Sequence, residues 1–188
     1  MTISLLLLVI LAALLAWAVV LFNRLVRLRN QVRTAWADID VQLTRRHDLV
    51  PSLVAAVKGY AGHESEVLER ATALRTQATT VKAPAQLGDV ETALGQALDR
   101  VVALQEAYPD LKANQNFSQL QRDLVDVEQQ LQYARRFYNG AVRDYNDGVQ
   151  RVPDLFVARA CGFQAAEFFQ ADDTQRAAVK VELRDDPH

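Results

Sequence analysis

The chain has 188 residues, room for one domain, or one domain with an appendage. Its 21 Lys+Arg against 23 Asp+Glu leave a net charge of −2, which argues against a nucleic-acid partner. Seven Gly and five Pro are too few for the turns of a β-sandwich or barrel, and the single Cys161 excludes a disulfide framework and a cysteine-rich metal site.

Residues 5–22 are apolar without interruption, and extending back through Ser4 to Ile3 gives 20 residues. At ~1.5 Å per residue that reaches about 30 Å, the hydrocarbon thickness of a bilayer. The expectation is a transmembrane helix over 3–22, because a spanning backbone must satisfy its own hydrogen bonds. A cleaved signal peptide is the rival reading, with Ala16-Trp17-Ala18 imitating a cleavage site. Against it, no charge precedes Arg24 and the apolar run continues past that site. Arg24, Arg27, Arg29 and Arg33 all follow the run. The positive-inside rule then leaves residues 1–2 outside and puts residues 24–188 in the cytoplasm, in a single-pass protein.

Beyond the span, Leu25, Leu28, Val32, Trp36, Ile39 and Leu43 form one helical stripe. It continues in nearly the same phase through Val50, Leu53, Val57, Tyr60, Val67, Leu68, Ala71 and Leu74. Asp48 ahead of Pro51 reads as the cap of a new helix, so a break near 48–51 is slightly favoured over a kinked continuous helix. Residues 76–86 read as a loop. Leu87, Val90, Leu94, Leu98, Val101, Leu104 and Tyr108 mark a further helix ending at Pro109. Then Phe117, Leu120, Leu124, Val127, Leu131, Ala134, Tyr138, Ala141 and Tyr145 alternate steps of three and four over four heptads. They predict a single helix of about 35 residues, ~50 Å long. Asp154 can cap a short helix that Gly162 ends, and 178–183 alternate weakly as an extended tail.

The pattern predicts an all-α fold: an N-terminal transmembrane helix, then an up-and-down antiparallel four-helix bundle over 23–170 with a short C-terminal helical cap. Residues 171–188 would form a polar, partly extended tail.

Three blocks resemble the LemA family of bacterial membrane proteins. The first is Arg29-Asn30-Gln31-Val32, Ala35-Trp36, 39–43, 45–51, 57–61 and His63-Glu64. The second runs over 106–114 with Phe117, Leu120-Gln121 and Leu124. The third is 134–139, Val142-Arg143 and Tyr145-Asn146, followed by Pro153, Phe163 and Phe168-Phe169. The resemblance implies an N-terminal transmembrane helix, a short external N-terminus and an all-α bundle. It carries no catalytic residues with it.

The densest polar cluster is Arg45, Arg46, His47 and Asp48, which reads either as helix-junction chemistry or as a partner-binding patch. His63 and Glu64 fit a solvated helix face better than a metal pair. Only His47, His63 and His188 exist, no HExxH spacing appears, and metal binding is not expected. Cys161, between Ala160 and Gly162, reads as buried and inert. Tyr138 and Tyr145 belong to the seam, whereas Arg135 and Arg136 read as lying off it, beside Tyr133, Phe137 and Arg143. No P-loop, GxGxxG or GxSxG motif is present, so neither cofactor nor enzyme activity is expected. The reading is a membrane-anchored helical scaffold or protein-interaction module. The alternative is an accessory factor that positions a protease or other enzyme at the inner membrane. Its expected partners are the bilayer and a protein. The seam also suits a coiled coil between chains, so a homo-oligomer stays open.

Overall fold

The computed structural model describes residues 2–61 and 63–169, and the expected tail lies outside the described residues. The fold is all-α among the described residues. Helix α1 (Thr2–Lys58) is followed by α2 (Ser65–Thr80), α3 (Pro84–Ala103), a 3-10 turn (Leu104–Glu106), the one-turn α4 (Pro109–Lys112), α5 (Gln115–Gln150) and α6 (Asp154–Ala160).

The first five turns of α1 leave the apolar side chains of residues 5–17 exposed, and the helix is long and apolar enough to cross a membrane. From Leu25 onward the same helix buries Val32, Ile39, Leu43, Val50, Leu53 and Val57 of the stripe read from the sequence, together with Ala35, while Leu28 and Trp36 of that stripe are half-buried. Helix α5 runs antiparallel to it. Leu25 and Leu28 lie against Gly148, Arg45 pairs with Asp126, and Tyr60 meets Asn114. A Cβ on Gly148 would stand 2.9 Å from a Leu28 methyl, so the glycine permits the helices' close approach. The α2–α3 hairpin packs on the half of this pair distant from the apolar segment. The seam of α5 is buried at Phe117, Leu124, Val127, Leu131, Tyr138, Ala141 and Tyr145. Asn114 caps α5, its Oδ1 accepting from the Phe117 N–H at 3.0 Å.

The expected break at 48–51 is absent: α1 passes through Pro51. Proline cannot donate to the carbonyl four residues back, which here is that of His47. Arg75 on α2 supplies the missing donor, its Nε lying 2.7 Å from that oxygen. Asp48 therefore caps nothing and is exposed in mid-helix.

The expected loop 76–86 shrinks to 81–83. The Thr72, Thr76, Thr79 and Thr80 hydroxyls are accommodated within the helix by donating to carbonyls three or four residues earlier, and Ala78 anchors the stretch in the core. Helix α3 stops at Ala103, short of Tyr108, and the chain turns through the 3-10 turn and α4.

Helix α6 and residues 161–169 form the C-terminal cap. Gly162, at φ 70°, reverses the chain after α6 in a conformation that suits glycine. Asp154 opens α6 without capping it, being buried with Oδ2 3.1 Å from Arg24 Nη1. Cys161 is exposed, not buried as expected, because it stands in the turn where the chain leaves the core.

Two apolar compartments fill the bundle. One joins Leu25, Val32, Ile39 and Leu43 to Leu131, Tyr138, Val142, Tyr145, Phe163 and Phe169. The other joins Val50, Leu53 and Val57 to Leu68, Leu94, Leu98, Phe117 and Leu124.

Candidate functional site

The two compartments meet at a charged layer to which each long helix contributes. Arg46 of α1 is 2% exposed and Glu91 of α3 is wholly buried. Arg46 Nη1 donates to Glu91 Oε2 at 3.1 Å and to the Glu91 carbonyl at 3.2 Å. Its Nη2 lies 2.8 Å from Oε1 of Glu128 on α5. His47 Nε2 is 2.6 Å from Glu91 Oε1, and Arg75 of α2 holds the His47 carbonyl. Glu91 thus faces two basic side chains. A Cβ on Gly95 would stand 2.7 Å from Arg46 Nη2, so this glycine keeps the channel that the guanidinium fills.

The cluster read from the sequence therefore divides. Arg46 and His47 turn into the layer. Arg45 and Asp48 face outward, Arg45 reaching Asp126 at 3.4 Å between half-exposed side chains. An exposed pair of that kind contributes little. The cluster stands in mid-helix, not at a helix junction, because α1 does not end there. Sequence reasoning missed Glu91, Glu128 and Arg75. A signal was present for one residue: Arg46 fills the gap between Leu43 and Val50 in the stripe, whereas Glu91 stands beside Val90 in an unbroken stripe and left no such mark. Charges at core positions mark a polar layer.

Arg135 corrects a second expectation, for it lies in the core, its guanidinium carbon 5.0 Å from the centroid of Phe169. Burial, and then the neighbouring Arg46 charge, pull its pKa below the ordinary value. Arg136 is exposed and stacks on Tyr133 instead.

Residues 163–169 run as an extended strap back along α1 and α5. Asn146 Nδ2 donates to the Ala166 carbonyl at 3.0 Å, and its Oδ1 accepts from the Ala166 N–H at 2.8 Å. Asn139 holds Phe169 in the same two-bonded way, at 2.9 Å each. Seven helical residues rise ~10.5 Å and three extended residues ~10 Å, so the two spacings match. Tyr138 Oη donates to the Glu167 carbonyl between them, and burial pushes this phenol's pKa up. Trp36 packs edge-on to Tyr138 and against Phe169.

The opposite side of the α1–α5 pair is not covered by any of the described residues. There Asp38, Val41, Gln42, Gln130, Tyr133 and Phe137 line a groove, with Val41, Tyr133 and Phe137 more than half exposed. His63 is exposed in the turn between α1 and α2. His188 lies outside the described residues. Among the described residues no three His, Cys, Asp or Glu side chains converge as a metal-ligand set.

Comparison with known proteins agrees with the blocks read from the sequence. Magnetosome proteins MamQ 1 and MamQ 2 of Paramagnetospirillum magneticum are each 25% identical, over 79% of this chain and 64% of their own length. The chain thus spans less than two thirds of these relatives. Protein LemA of Metamycoplasma hominis is 25% identical over 86% of this chain and 75% of its own. The family model described as LemA matches residues 35–183, from Ala35 beside Trp36 past the strap, and the chain belongs to the LemA family.

Proposed function

We propose that residues 3–22 span the inner membrane, with the N-terminus outside, and that the bundle is a scaffold or protein-interaction module in the cytoplasm. The observation that carries this is the division of α1. One unbroken helix is apolar and exposed over its first five turns, then becomes a core member of the bundle. Such a helix fixes the bundle to the bilayer without a hinge. The charged layer serves the interior, since its groups are spent on one another. The groove, with Val41, Tyr133 and Phe137 exposed among the described residues beside Asp38 and Gln130, has the aromatic composition of a protein-binding surface.

Photo-crosslinking in native membranes tests this. A photoreactive residue in place of Phe137 is expected to give a discrete protein adduct, and the same residue in place of Arg70, exposed on α2, is not. Equal labelling at both positions, or none at Phe137, contradicts a partner in the groove. An adduct with an enzyme would favour the accessory-factor reading.

A further inference from the structure

We infer that α6 and the turn before it make a second contact with the membrane, lying in the headgroup layer beside the span. The inference rests on the reading of 3–22 as that span.

Height comes first. Phe163 meets Phe22 edge-on, with ring centroids 5.7 Å apart, and Asp154 pairs with Arg24 at 3.1 Å. Leu21 is only 8% exposed, in contrast to the open apolar residues before it. The chain therefore returns to α1 at the last turn of the apolar segment, which is where a bilayer meets water.

The chemistry of the exposed side comes second. Asp154 and Ala158 are wholly buried against the bundle. At ~100° per residue, Phe156 lies on the opposite side of this short helix. Phe156 is 67% exposed and Val152 63% exposed. Arg151 and Arg159 flank them, also exposed. Apolar side chains bracketed by arginines suit an interfacial segment: the former enter the headgroup–acyl boundary while the latter meet anionic lipid. The occupant of this face is a bilayer carrying anionic lipid, because the face is continuous with the span and adjoins Arg24.

Spin-label accessibility in the full-length protein tests this. Cys161 is the only cysteine, so Cys161→Ser gives a clean background. Nitroxides are placed at Phe156→Cys, Val152→Cys, Leu11→Cys and Val125→Cys, in phosphatidylcholine–phosphatidylglycerol vesicles. Labels at 156, 152 and 11 are expected to collide more with oxygen than with a water-soluble nickel chelate. Position 125 lies far along α5 and should show the reverse. Omitting phosphatidylglycerol should weaken the oxygen preference at 156 and 152 and leave position 11 unchanged. If 156 and 152 behave like 125 while 11 prefers oxygen, the span stands and the interfacial contact is overturned. If 11 prefers the nickel chelate, the span itself fails and the contact with it. Spin–spin broadening at 156, with both reagents excluded, would assign the face to a second copy and overturn the proposal.

Discussion

Glu91 is the residue on which the interior charge arrangement turns. A carboxylate with no exposed surface is tolerated only when paired, and it faces Arg46 and His47. Removing it leaves the Arg46 Nη1 and the His47 imidazole without their carboxylate and the buried guanidinium with Glu128 alone. Glu91→Ala is expected to lower stability by about 3–5 kcal/mol, read by urea unfolding of the detergent-solubilised protein. Replacing Arg46, Glu91 and Glu128 together by Met, Leu and Leu should recover most of the loss, since apolar side chains of similar volume often substitute for a buried ionic set. A Glu91→Ala variant of unchanged stability would show that the layer is solvated. None of this was legible as pairing, because the partners come from helices joined only by the fold. What was legible is that Arg46 occupies a core position of its stripe; Glu91, next to Val90, was not.

At the scale of elements, the sequence was clearest where the period was longest. The four heptads of α5 repeat one pattern often enough to predict both its length and its buried face. Pro51 misled because its cost is local while its remedy is not: the replacement donor, Arg75, arrives on the next helix. A double-mutant cycle tests that remedy. Arg75→Leu is expected to cost about 1–3 kcal/mol by leaving the His47 carbonyl unpaired. It should cost much less in a Pro51→Ala background, where the backbone N–H at residue 51 can take that carbonyl. Equal costs in both backgrounds would mean that Arg75 acts otherwise. The strap was illegible for a different reason. An extended segment held by side chains has no period of its own, and its only trace is Asn139 and Asn146 one heptad apart. Asn139→Ala and Asn146→Ala should each expose the strap to limited proteolysis after Gly162, faster than in the parent protein. A cleavage rate unchanged in the double variant would show that the aromatic packing alone holds it.

For the whole molecule, the proposed orientation and the stiffness of the support both rest on α1. A reporter fused after His188 is expected to behave as cytoplasmic, and periplasmic activity would contradict this. Arg27 and Arg33, both exposed, are the arginines whose replacement by Gln should weaken the bias without loosening the fold. Arg24 and Arg29 also hold Asp154 and Phe163, so their loss would disturb the C-terminal cap as well.

The continuity of α1 through Pro51 is what turns a membrane anchor into a stiff support for the bundle, and a distance measures it directly. Nitroxides at Asn30→Cys and Lys58→Cys, both exposed sites, would be placed in the Cys161→Ser background in lipid. Double electron–electron resonance should give one narrow population near ~42 Å, the rise of 28 helical residues. A chain that turned back at 48–51 would instead bring the labels to about 20 Å on the same helical rise, and a population centred there would contradict the account.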